Sequence, residues 1–125
     1  MKLKYILFLL AALLLAACST TDATPEAPVL DATQQFGQSI YKLRCAQCHA
    51  LTPDTIVIGP SLAGIASRAG TRMEGYTAEE YIETSILNPQ KYVVDGFKPT
   101  MPTNFAKELT SEELKAVIAY LMTLK

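Results

Sequence analysis

Lys2 and Lys4 open the chain, and 13 uncharged residues ending in small side chains run from Tyr5 to Ala17. That layout predicts a signal peptide over residues 1–17, because the run is shorter than the roughly 20 apolar residues that cross a bilayer. Hydrophobic periodicity then disappears. Thr, Ala, Pro and acidic residues dominate from Ser19 to Leu30, so residues 18–30 read as a flexible, partly extended linker. The period returns at Asp31, where Phe36, Ile40, Tyr41 and Leu43 keep helical spacing as far as Cys45, with Asp31 or Thr33 as N-cap. Pro53, Gly59 and Pro60 break the next stretch into loop, and Ser61 to Arg68 is expected to form a short helix capped by Ser61. Glu79 to Leu87 reads as a helix capped by Thr77 and stopped at Asn88-Pro89. Lys91 to Lys107 has no sustained period and holds Pro99 and Pro102, so it reads as a long loop. Thr110-Ser111-Glu112-Glu113 is a capping box ahead of Leu114, Val117, Ile118 and Leu121, the stripe of an amphipathic helix. Strand alternation and internal repeats are absent from the pattern. The expected fold is all-α, with three to four short helices in one domain over residues 31–125.

Composition narrows the partners. In 125 residues, 50% are hydrophobic and 18% charged, with a net charge of −1, which fits one small globular domain and argues against a disordered chain. Charges of both signs are interspersed, so no basic stripe points to nucleic acid. Three cysteines are an odd number and ask for separate explanations rather than a disulfide framework. Leu15-Ala16-Ala17-Cys18 resembles a bacterial lipoprotein signal, in which the cysteine is acylated and becomes the first residue of the mature chain. The expectation is an exported protein, lipid-anchored through Cys18 on the periplasmic or extracellular side of a bacterial membrane. Removal of Lys2 and Lys4 leaves nine basic against 12 acidic residues, a mature charge near −3.

The other two cysteines lie in Cys45-Ala46-Gln47-Cys48-His49, a C-x-x-C-H sequence, which is the attachment signature of a c-type haem. The spacing has a chemical reason. Two thiols on one helical turn add to the two porphyrin vinyl groups, and the adjacent imidazole is held under the iron. A thioredoxin-like pair would need βαβ surroundings, and a structural zinc would need four ligands where only Cys45, Cys48 and His49 are grouped. His49 is the only histidine in the chain. A sixth iron ligand therefore comes from Met73, Met101, Met122, a lysine or nothing. Met122 lies in the last helix, Met73 in a polar segment without a proline clamp, and Met101 in the loop Lys98-Pro99-Thr100-Met101-Pro102, 52 residues after His49. Met101 is the preferred candidate, because flanking prolines lower the entropy of holding a thioether in place.

From Phe36 to Lys125 the chain resembles a class I cytochrome c. The resemblance rests on several motifs: Gly37 and Tyr41 before Cys45, Val117-Ile118-Ala119-Tyr120-Leu121 in the last helix, and Gly59-Pro60-Ser61-Leu62-x-Gly64-x-x-x-Arg68-x-Gly70. Ile86-Leu87-Asn88-Pro89-x-x-Tyr92 and Met101-Pro102 are similar to its ligand-loop region, and Tyr92 to Phe97 resembles the cytochrome domain fused to some oxidase second subunits. The family pattern is departed from in two places, since tryptophan is absent and the stretch between Gly70 and Glu79 is short. The resemblance implies a cytochrome c fold in which the first and last helices cross at Gly37. It further implies that His49 bonds the backbone carbonyl of Pro60 and that Arg68 pairs with a haem propionate, a match of guanidinium to carboxylate. Tyr76 and Tyr92 either donate to the propionates or simply pack. Glu79, Glu80 and Glu83 read as a solvated helix face.

These residues point to a one-electron carrier, not an enzyme, with one haem c covalently bound through Cys45 and Cys48. Expected partners are redox proteins such as a terminal oxidase or a quinol-oxidising complex, met by a monomer or by a subunit of a larger complex. An open-site peroxidase or gas-binding protein would want a distal histidine, and the only one is already committed.

Overall fold

The computed structural model of the protein describes residues 29–125. The expected signal peptide over residues 1–17, the proposed lipidation site Cys18 and the expected linker as far as Pro28 lie outside the described residues. Leu30, placed in the linker by the sequence pattern, already packs against the core, and its carbonyl accepts from Gln35 Nε2 at 2.8 Å.

Five α-helices are present among the described residues, with no strand beyond a single antiparallel bridge between His49 and Ile56. None is long and apolar enough to cross a membrane. Helix α1 (Ala32–Ile40) begins at a capping box in which Asp31 accepts from the Gln34 amide at 2.8 Å and the Gln34 side chain accepts from the Asp31 amide at 3.0 Å. It runs directly into a π-helical turn, Tyr41–Cys45, closed by the Ala46 amide on the Tyr41 carbonyl at 2.9 Å. The extra residue in that turn shifts the helical register. Ile40 and Tyr41 are buried, whereas Leu43, expected on the same face, is 70% exposed.

Helix α5 (Ser111–Leu121) starts at the expected box, Thr110 with Glu113, and buries Val117, Ile118, Tyr120 and Leu121. It crosses α1 at Gly37, where a Cβ would stand 1.9 Å from the Ala116 carbonyl oxygen, so only glycine permits the contact. Tyr41 and Tyr120 bracket the crossing with ring centroids 5.7 Å apart.

Between these helices the structure corrects several boundaries. Helix α2 (Ile65–Arg68) begins at Gly64, which adopts φ +66, and not at Ser61. The Ser61 hydroxyl is taken up by the loop instead, donating to the Thr52 carbonyl at 2.7 Å and accepting from the Ala63 amide at 3.1 Å. A 3-10 turn, Ala69–Thr71, extends α2. Helix α3 (Ala78–Leu87) is capped by Thr77, and Glu80 closes the box on the Thr77 amide at 2.8 Å, so Glu80 has a structural bond beyond a solvated face. The long loop after α3 ends early, in helix α4 (Phe105–Glu108), which is tied to the π turn by the Arg44–Glu108 ion pair at 3.3 Å. One turn of helix is too short to show a period. Ile82 and Ile86 of α3 join Ile40, Ile65 and the α5 residues in one apolar core.

Candidate functional site

A cleft opens between the Cys45–His49 turn, the loop before α2, the inner face of α3 and the loop before α4. The turn is made by two amides, those of Cys48 and His49, that share the Cys45 carbonyl at 3.0 and 2.9 Å. Cys45, Cys48 and His49 consequently all face the cleft. Both thiols are free and half-buried, and burial, with Cys48 as the smaller cause, pushes the Cys45 thiol up to about 11.

His49 is held at several points. Its Nδ1 lies 2.8 Å from the Pro60 carbonyl oxygen, which can only accept, so Nδ1 carries a proton and, in the neutral ring, the lone pair is on Nε2. The Ile58 and Gly59 amides donate to the Cys48 carbonyl at 3.2 and 2.9 Å, and this folds their loop across the imidazole. A Cβ on Gly59 would stand 2.4 Å from His49 Cε1. The Tyr41 hydroxyl donates to the His49 carbonyl at 2.6 Å.

Of the three candidate methionines, Met101 lines the cleft with Pro99 and Pro102 beside it. Met73 and Met122 pack against the core outside the cleft lining. Arg68 lines the cleft, and its guanidinium donates to the backbone carbonyls of Ala63 and, at 2.5 Å, Ser61. Arg72 joins it on the wall. Burial first, and then the Arg72 charge, lowers the pKa of Arg68 below its ordinary value. Arg44, which pairs with Glu108, and Lys98 also line the cleft, whereas no Asp or Glu does among the described residues, so its charged lining is entirely cationic. Tyr92 lines the cleft and meets Tyr81 edge-on at 5.7 Å.

Tyr76 does not reach the cleft. Its hydroxyl accepts from Lys91, whose ammonium also sits 4.9 Å from the Tyr76 ring centroid, so packing and a surface cation account for it. The pattern of residues does not single out Gly59 as a contact of His49, nor Arg72, nor the apolar walls Leu62, Ile82 and Phe97. Only Ile82 and Ile86, four apart on α3, carry a readable signal. The contents of the cleft fit a haem: two thiols on one turn, an imidazole, a thioether, apolar walls, and the cationic side chains of Arg68 and Arg72, with Arg44 and Lys98, for the group's carboxylates.

Residues 35–125 match the family described as Cytochrome c. Cytochrome c2 iso-2 of Magnetospirillum molischianum is 33% identical over 89 residues, which is 65% of this chain and 91% of that protein. Cytochrome c2 iso-1 of Magnetospirillum fulvum is 31% identical over 106 residues, 76% of this chain and 99% of its own length. Against Cytochrome c 2.1 of Caenorhabditis elegans the identity is 29% over 69 residues, 46% of this chain, and the chain spans only 62% of that relative.

Proposed function

Because the chain belongs to the cytochrome c family and so carries a covalently bound haem c on Cys45 and Cys48, we propose that it is a one-electron carrier with His49 and Met101 as axial ligands. When bound, the haem supplies an Fe(II)/Fe(III) couple. The observation that carries the reading is the Nδ1 hydrogen bond from His49 to Pro60, which leaves Nε2 as a donor atom in the cleft that Met101 also lines. The protein's work is to hold both donor atoms in place, so that little has to move between oxidation states. Pro60 fixes the tautomer and orientation of one ligand, and Pro99 and Pro102 restrain the loop of the other. A thioether ligand favours the reduced state and so raises the potential. Arg68 and Arg72 would neutralise the propionates of a bound haem, and the Ile82 and Ile86 side of α3 would keep water from it.

Electron exchange is assigned to the side of the cleft lined by Ile58, where Ile56, Val57 and Ile58 form an apolar run 68%, 52% and 57% exposed. An apolar rim of this kind suits a transient redox partner such as a terminal oxidase or a quinol-oxidising complex. A signal peptide over residues 1–17 exports the chain, and acylation of Cys18 holds it on the outer side of a bacterial membrane, where the linker lets it reach those partners. With His49 and Met101 both holding the iron, a bound haem would have no position left for substrate, which favours a carrier over an enzyme.

The test is a redox titration of the purified haem protein with carbon monoxide challenge. A reversible one-electron titration and no carbon monoxide adduct are expected. Ready formation of the adduct would reject the two-ligand carrier.

A further inference from the structure

Tyr41 has two parts that do different things. Its ring is 5% exposed and packs against Tyr120 at the helix crossing, a role that phenylalanine would fill as well. Its hydroxyl leaves that packing and donates to the His49 carbonyl at 2.6 Å, eight residues on. The π turn makes this reach available. With the Ala46 amide bonded to the Tyr41 carbonyl, the chain takes a wider loop before the Cys48 and His49 amides fold back on the Cys45 carbonyl.

We propose that Tyr41 is a positioning residue for His49, its hydroxyl pinning the histidine's peptide carbonyl while Pro60 pins the imidazole. The inference rests on the reading of His49 as an iron ligand. His49 is anchored through its amide on Cys45, its carbonyl on Tyr41 and its ring on Pro60. Each anchor removes a separate rotation. The amide and carbonyl bonds fix the backbone on either side of the Cα, and the Nδ1 bond fixes the ring about χ2. Removal of the Tyr41 hydroxyl takes one support from the peptide between His49 and Ala50, beside the bridge from His49 to Ile56. The Ala50 carbonyl accepts from the Leu62 amide at 2.8 Å, so a shift of that peptide is passed to the loop that carries Pro60. Ring orientation is then less tightly held.

The test compares the haem-loaded full chain with Tyr41→Phe and Tyr120→Phe, both of which keep the ring pair. In the oxidised protein, the paramagnetically shifted ring-proton resonances of His49 report how the imidazole sits on the iron. Tyr41→Phe should move these resonances and shift the reduction potential, whereas Tyr120→Phe should leave both at the parent values. If Tyr41→Phe lowers the melting temperature but leaves the His49 resonances unmoved, the residue is a packing residue and the inference is overturned. Should Tyr41→Phe fail to load haem, the parent decides: a slowly exchanging Tyr41 hydroxyl proton supports the pin, and a freely exchanging one overturns it. A parent protein with no shifted His49 resonance at all overturns the ligand reading itself, and is told apart because it shows without any substitution.

Discussion

Met101 and Met73 are the same side chain in two environments, and the cleft separates them. Met101 lies on the cleft wall between two prolines, while Met73 packs on the core beside Tyr76 and away from the cleft. Axial ligands set haem potentials over about 0.8 V, so Met101→Ala should lower the reduction potential by on the order of 0.1 V and let carbon monoxide bind. Met73→Ala should leave both properties unchanged. Redox titration and carbon monoxide difference spectra of the two variants check this, and the reverse pattern would reject the ligand assignment. At this scale the sequence is legible where chemistry needs a rare residue type. One histidine and one C-x-x-C pair leave little choice for the attachment site. Gly59 is not legible as a contact, because a glycine before a proline reads as a turn. Its closeness to the His49 ring exists only after ten residues of loop have folded back.

Each helix that the pattern marks most clearly begins with the same device. Thr77 with Glu80, and Thr110 with Glu113, form capping boxes in which the glutamate accepts from the threonine amide at 2.8 Å. Hydrogen bonds to threonine hold both carboxyl groups below the ordinary carboxylate range. A depressed folded-state value means that the unfolded chain binds more protons on acidification. The stabilisation from these carboxylates is therefore complete above their ordinary value and is lost as pH falls through the lowered one. Melting temperatures should accordingly drop below about pH 4.5. Glu80→Gln with Glu113→Gln, which keeps an acceptor at each cap but removes its titration, should flatten that drop. Melts of the double variant at a series of pH values measure it, and an unchanged slope would assign acid sensitivity to other groups. Elements without such local devices are the ones whose bounds the pattern misplaces. Helix α4 has no side-chain cap bond and only four residues, and α2 starts where Gly64, not a capping side chain, turns the chain.

The domain is built on α1 and α5 crossed at Gly37, and α3 completes a core whose remaining side is the cleft wall. Ile65, Ile82 and Ile86 belong to that core and also line the cleft, so a bound haem would be part of the packing as well as the cofactor. Fewer than 100 residues bury little apolar surface by themselves. A chain carrying Cys45→Ala and Cys48→Ala, and therefore no covalent haem, should show no cooperative thermal transition by circular dichroism. A sharp transition would show that the helices sustain the fold alone. The anchor is a separate matter. If an acylated Cys18 anchors the chain as proposed, Cys18→Ala should move the protein from the membrane to the soluble fraction with its absorption spectrum unchanged, because Cys18 is far in sequence from Cys45, Cys48 and His49. Retention on salt-washed membranes would assign attachment to protein contacts.

Local signals are sufficient wherever a feature depends on neighbours within about four residues. The helical stripes of α1, α3 and α5, the boxes at Thr77 and Thr110, and the Cys45–His49 motif are all of that kind, and so the all-α class and the haem chemistry are determined by the sequence itself. The pattern also carries the 1–17 leader and Cys18 as expectations that the described residues do not reach. Features that depend on contacts between distant segments are decided by the fold. The hydrogen bond from His49 to Pro60 spans 11 residues and that from Tyr41 to His49 spans eight, across turns whose geometry no spacing rule encodes. Tyr76 and Tyr92 have the same chemistry, yet one meets Lys91 and the other lines the cleft. Local sequence sets which way a helix face points within its own turn. Which segment it then faces is decided by packing, because burial acts on total apolar area and is indifferent to distance along the chain.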